Sequence, residues 1–109
     1  MARTAISVTQ ITRAGVAAGT EAAGDPTNNH VVPNNGKTIL QVRNSGSTVA
    51  RTVTFRLPGV VDGQAVTPRA VSIPISSTRW FGPFPTGDYG SQLQVDVDNA
   101  ELKLTAYGI

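Results

Sequence analysis

The sequence predicts an all-β fold: a single antiparallel β-sandwich, immunoglobulin-like or jelly-roll, of seven or eight short strands with an extended Ala/Gly-rich arm over residues 13–29. Three observations carry this expectation. Apolar residues recur with a period of two rather than 3.6. Thr and Val are the commonest residues, and Gly, Asn, Asp and Pro punctuate the apolar runs. Glu, Lys and Leu, which favour helices, are scarce. A chain of 109 residues is enough for one domain around one core, spanning 1–109.

The first strand is expected from about Thr4 to Thr12, with Ile6 and Val8 inward and Ile11 out of phase at a bulge. Residues 13–29 are small and Gly-studded without apolar periodicity, which reads as an extended loop or arm. One helical turn over Glu21 to Ala23 is the alternative, opposed by Gly15, Gly19, Gly24 and Pro26. His30-Val31-Val32 forms a short strand that returns through Pro33-Asn34-Asn35-Gly36 into the strand at Thr38. Leu40 and Val42 then alternate with Gln41 and Arg43. After Asn44-Ser45-Gly46-Ser47, Val53, Phe55 and Leu57 alternate with Thr52, Thr54 and Arg56, which predicts a hairpin.

Val60-Val61-Asp62-Gly63-Gln64-Ala65-Val66 carries an Asp-Gly pair between apolar residues, a second hairpin signal. Val71, Ile73 and Ile75 point inward, and Pro74 places that strand on a sheet edge or breaks it. The clearest alternation is last: Leu93, Val95 and Val97, then Leu102, Leu104 and Ala106, joined by Asp98-Asn99-Ala100 in a third expected hairpin. The predicted core is Val8, Leu40, Val42, Val53, Phe55, Val71, Ile73, Leu93, Val95, Leu102 and Leu104.

Composition removes the parts that most chemistries need. With no Cys and a single His, thiolate zinc sites, disulfide frameworks and the usual catalytic triads lack material. The net charge of +2 comes from 7 Arg and 2 Lys against 7 carboxylates spread along the chain, with no basic stripe and no interleaved aromatics of the kind that binds nucleic acid. Met1-Ala2-Arg3-Thr4 leads straight into a strand-like segment rather than an apolar leader, and no run approaches a membrane span. The expectation is a protein made in the cytoplasm, without enzyme activity, obligatory cofactor, resident metal, nucleic-acid partner or membrane partner.

Three constellations hold the residue types that chemistry or binding would need. His30, with Asp25 the nearest carboxylate in sequence, lacks a nucleophile and an orienting group, and reads as a surface or strand-end residue. Asp96, Asp98 and Glu101 lack the Gly and the oxygen-donor spacing of a calcium loop, and a turn accounts for Asp98 and Asn99. The informative segment runs from Arg79 to Tyr89 and holds four of the six aromatics in a stretch too rich in Gly and Pro for a regular strand. Trp80 and Phe84 are expected to plug an open end of the sandwich, and Tyr89 to face a partner. Arg13, Arg79, Trp80, Phe81, Phe84 and Tyr89 are the candidate partner-binding residues, because Trp, Tyr and Arg dominate interface hot spots. A sugar site would use the same rings with Asp88 and Gln92.

The order of Asn35-Gly36-Lys37-Thr38-Ile39-Leu40-Gln41-Val42-Arg43-Asn44, then Val60-Val61-Asp62-Gly63, then Arg79-Trp80-Phe81-Gly82-Pro83-Phe84-Pro85 resembles small structural proteins of tailed bacteriophages, often from actinobacterial hosts, encoded near the major capsid protein. The resemblance implies a virion component: a capsid decoration (cement) protein that binds the major capsid protein on the head exterior and stabilises capsomer contacts, as a homo-oligomer with a trimer favoured. The alternatives are another virion role (tail tube, head completion or fibre domain) and a carbohydrate-binding or adhesive module.

Overall fold

The computed structural model describes residues 3–58, 60–65 and 67–109. Its N-terminal run is not one strand. β1 (Thr4–Ala5) pairs in parallel with β4 (His30–Pro33), whereas β2 (Val8–Gln10) pairs in parallel with β12 (Leu102–Gly108) in a different sheet. Between them Ile6 is buried, and its amide donates to the Val31 carbonyl at 2.9 Å. The apolar pair at 6 and 8 thus marks a crossing from sheet to sheet, not a bulged strand, and Ile11 is left exposed beyond it.

The remaining strands are β3 (Ala22–Ala23), β5 (Thr38–Asn44), β6 (Arg51–Arg56), β7 (Val60–Val61), β8 (Gln64–Ala65), β9 (Arg69–Ile73), β10 (Thr78–Phe81) and β11 (Gln92–Val97). One sheet has the order β1-β4-β11-β6-β9 and the other β10-β5-β12-β2, with β3 antiparallel to the part of β12 that β2 leaves open. Both sheets are mixed: each carries one parallel pairing at an N-terminal strand, and the other pairings are antiparallel, so the sandwich is mostly antiparallel.

The sheets share one core, as the layers of a β-sandwich do. Val32, Val53, Phe55, Ile73, Leu93, Val95 and Val97 come from the first, and Leu40, Val42, Leu102, Leu104 and Ala106 from the second. Each fully buried Val, Leu or Phe contributes about 1.5–3 kcal/mol relative to exposure. Of the expected core, Val8 and Val71 are only partly buried; Ile75, expected to point inward, is exposed because β9 stops at Ile73, ahead of Pro74.

Two expected hairpins are absent. β5 pairs β10 and β12 while β6 pairs β11 and β9, and β11 pairs β4 and β6 while β12 pairs β5, so the turns at 45–50 and 98–101 are arches between sheets. Alternation reports which face of a strand is buried; it is silent on which strand lies alongside. The Asp62-Gly63 hairpin does form, between β7 and β8, with both central residues at positive φ (52° and 74°) as a type I′ turn demands. Val66, read as part of its second arm, lies outside the described residues.

Residues 19–24 are not a free arm. The Gly19 amide donates to the Tyr107 hydroxyl at 3.0 Å, Ala22 and Ala23 pair with Leu104 and Lys103, and the Gly24 amide donates to the Leu102 carbonyl at 2.8 Å. A Cβ at Gly24 would fall 2.8 Å from that carbonyl and 2.9 Å from the Asn99 carbonyl. The glycine that argued against regular structure here is what allows the segment to lie on β12. The helical turn considered for Glu21 to Ala23 is replaced by this strand.

Candidate functional site

At the open side of the two sheets, β9 ends one and β10 ends the other, each paired on one edge only. β10 takes in the start of the aromatic segment, so Arg79, Trp80 and Phe81 are in a strand after all, in register with Val42, Gln41 and Leu40. Alternation along the strand sends Phe81 toward the core and Trp80 to the outer face. Gly82 follows at φ 128°, where an added Cβ would meet the Thr38 carbonyl at 2.6 Å; the chain can turn against β5 only because that side chain is missing. Past Pro83 the chain buries Phe84 and makes a single helical turn, α1 (Thr86–Tyr89).

The rings form a continuous series across the two sheets. Phe55 lies 5.0 Å from Phe81 and 5.3 Å from Phe84, and Phe84 meets Tyr89 edge-on at 5.2 Å. Trp80 stacks instead on Tyr107, with centroids 5.7 Å apart and planes 29° from parallel. Phe55, Trp80, Phe81, Phe84 and Tyr89, but not Tyr107, line a hollow of about 390 Å³ together with Arg69, Gly82, Pro83, Pro85 and Asp88. Phe55 and Arg69 face each other across the β6–β9 ladder.

The expected site residues therefore divide. Phe84 is buried and does plug this end. Trp80 was expected beside it as a plug and is 59% exposed, because its strand position points away from the core. Tyr89, expected to face a partner, is half-buried against Phe84, and Phe81 is half-buried against Phe55. Arg79 is exposed on β10, and Arg13 is exposed on the 11–18 segment and does not line the hollow. Gln92 does not line it either, while Asp88 does. Arg69 was missed, since nothing local links it to a segment ten residues downstream.

Most other charges are consumed internally. Asp96 takes Arg3 and Arg56, each at 2.6 Å; burial works against its charge, yet the two guanidinium bonds outweigh it and hold the carboxyl below its ordinary range. Glu101 pairs with Arg51, and Asp98 accepts the Thr52 amide of β6, so the acidic trio near the 98–101 arch is engaged by ion pairs and a backbone amide. Among the described residues no ion pair includes Arg69, Arg79 or Asp88, and no group of three or more His, Cys, Asp or Glu side chains is placed to hold a metal.

His30 is fully buried rather than on the surface. It opens β4, and its Nε2 accepts the Asp25 amide at 2.9 Å, while the Asp25 carboxylate accepts the amides of Thr27 and Asn28. Desolvation pushes the imidazole pKa below its ordinary value. The ring is thus a neutral acceptor that closes the 25–30 turn.

No family model, curated protein or solved structure matches the chain. Among the described residues no helix is long and apolar enough to cross a membrane.

Proposed function

We propose that this chain is a structural protein of a tailed-phage virion, a decoration protein that binds the major capsid protein on the head exterior and reinforces capsomer contacts, with a trimer as the favoured assembly. The observation that carries the reading is the strand order. Setting aside the N-terminal strand and the β7–β8 hairpin, the antiparallel orders are β3-β12-β5-β10 and β4-β11-β6-β9. Numbered one to eight along the chain, they read 1-8-3-6 and 2-7-4-5, the order of a jelly roll, and we infer that type over the immunoglobulin-like one. Jelly rolls recur in viral capsid and lectin domains. The resemblance of the Asn35 to Asn44, Val60 to Gly63 and Arg79 to Pro85 segments to small structural proteins of tailed bacteriophages supports the same reading.

A lattice-bound protein gains affinity from many weak contacts repeated on one surface, and it needs exposed anchors rather than a reactive site. Arg13 stands among such anchors: Ile11 and Val16 flank it, both exposed, and the Ile11 amide bonds to Gly108, next to the exposed Ile109. This patch is the proposed attachment surface. Counting copies by quantitative mass spectrometry of purified particles tests the role. Hundreds of copies fit decoration or a tail tube, and binding to undecorated heads separates those two. A dozen or fewer indicate a connector or fibre domain, and none overturns the virion reading.

A further inference from the structure

We propose that the hollow between the open edges β9 and β10 binds a neutral pyranose sugar, with Trp80 as the stacking platform and Asp88 and Arg69 as the pair that binds its hydroxyls. The inference does not depend on the virion role. Its volume of about 390 Å³ falls in the range of small-ligand sites, roughly 300–1,000 Å³.

The platform is prepared in advance. Tyr107 lies against the Trp80 ring, and its own hydroxyl is held by the Gly19 amide, so the indole plane is fixed while the residue stays 59% exposed. The axial C–H groups of a pyranose carry slight positive charge and suit the negative face of an aromatic ring. A fixed platform costs little ordering entropy on binding.

The polar groups match the other half of a sugar. A hydroxyl both donates and accepts, so it is served by a carboxylate beside a guanidinium, one acceptor-only and one donor-only. Asp88 and Arg69 line the same hollow and join no ion pair among the described residues, whereas Arg3, Arg43, Arg51 and Arg56 are all paired. Their opposite charges cancel at the hollow. This favours a neutral polyhydroxyl ligand over an anion, and over a proline-rich peptide, which has no hydroxyl groups for the pair to bind.

Trp80 is the single tryptophan of the chain, so its emission reports from the site itself. The full-length protein is titrated with the methyl glycosides of glucose, galactose, mannose and N-acetylglucosamine and with their tetrasaccharides, up to about 10 mM. The expected result is a saturable emission change with at least one of them, weakened about tenfold or more in both Asp88→Asn and Arg69→Gln, with melting unchanged in these exposed variants. No response to any sugar overturns the proposal, as does binding that neither variant weakens. A response to decaproline in the absence of any sugar response, or a concentration-dependent dimer abolished by Trp80→Ala, overturns it in favour of a peptide or a second copy. None of these outcomes alters the copy number in particles, so the two readings fail separately.

Discussion

The guanidinium of Arg43 grips the carboxylate of Glu21 through two hydrogen bonds, Nε to Oε2 at 2.9 Å and Nη2 to Oε1 at 2.8 Å. The pair ties the Gly-rich segment to the middle of the second sheet, and the Arg43 bond holds the Glu21 carboxyl below its ordinary pKa. Both partners are substantially exposed, so solvent screens the pair. Glu21→Ala is expected to leave the melting temperature almost unchanged.

Gly24→Ala is expected to behave otherwise. Its Cβ would press on two backbone carbonyls that belong to β12 and the 98–101 arch, and backbone yields less readily than side chains. A loss of about 1–3 kcal/mol in urea unfolding is expected. Because residues 19–24 are bonded to β12, deleting 15–24 should destabilise the isolated domain, where a free arm would be dispensable.

Trp80→Ala should cost about 1–3 kcal/mol, its stack on Tyr107 together with the minor share of its surface that is covered, because the residue is 59% exposed. Phe84→Ala should cost about 3–5 kcal/mol, since it empties the space between Phe55 and Tyr89. Equilibrium unfolding of the two variants side by side checks the order; a costlier Trp80→Ala would contradict the placement of β10.

Asn44 is fully buried, and its amide nitrogen donates to the carbonyls of Val49 and Ile73, each at 3.1 Å, while its Oδ1 accepts the Gly46 amide at 2.9 Å. It therefore fastens the 45–50 arch to the end of β9. Asn44→Ala leaves three backbone groups without that partner and should cost about 1–3 kcal/mol for each one that water cannot reach, measured by denaturant unfolding.

Stability should fall with pH through His30. Burial lowers the folded imidazole pKa below the ordinary 6.5, so as pH drops past 6.5 the unfolded chain takes up a proton that the folded chain refuses. The loss approaches about 1.4 kcal/mol per pH unit between the unfolded and the folded value and ceases below the latter. Unfolding midpoints between about pH 5 and 7, with NMR titration of the imidazole, test this. A ring that titrates at or above 6.5 in the folded protein would refute it.

Local sequence determined which residues face inward and where strands stop. Leu40, Val42, Leu93, Val95, Leu102 and Leu104 are all buried as their alternation requires, Pro74 follows the last residue of β9, and Asp62-Gly63 turns as its positive φ angles demand. Those outcomes depend on a side chain's polarity or a residue's own φ and ψ. The aromatic segment was also legible as the candidate site, and within it Phe84 as a plug. Only the tertiary structure decided that β5 and β6, and likewise β11 and β12, cross between sheets, that the N-terminal run joins both sheets, and that Trp80 faces out while Tyr89 packs inward. Arg69 reaches the same hollow as Asp88 because β9 and β10 end neighbouring sheets. Strand pairing is a contest among long-range partners that present the same alternating face, and its result follows from how the whole set of strands closes the core.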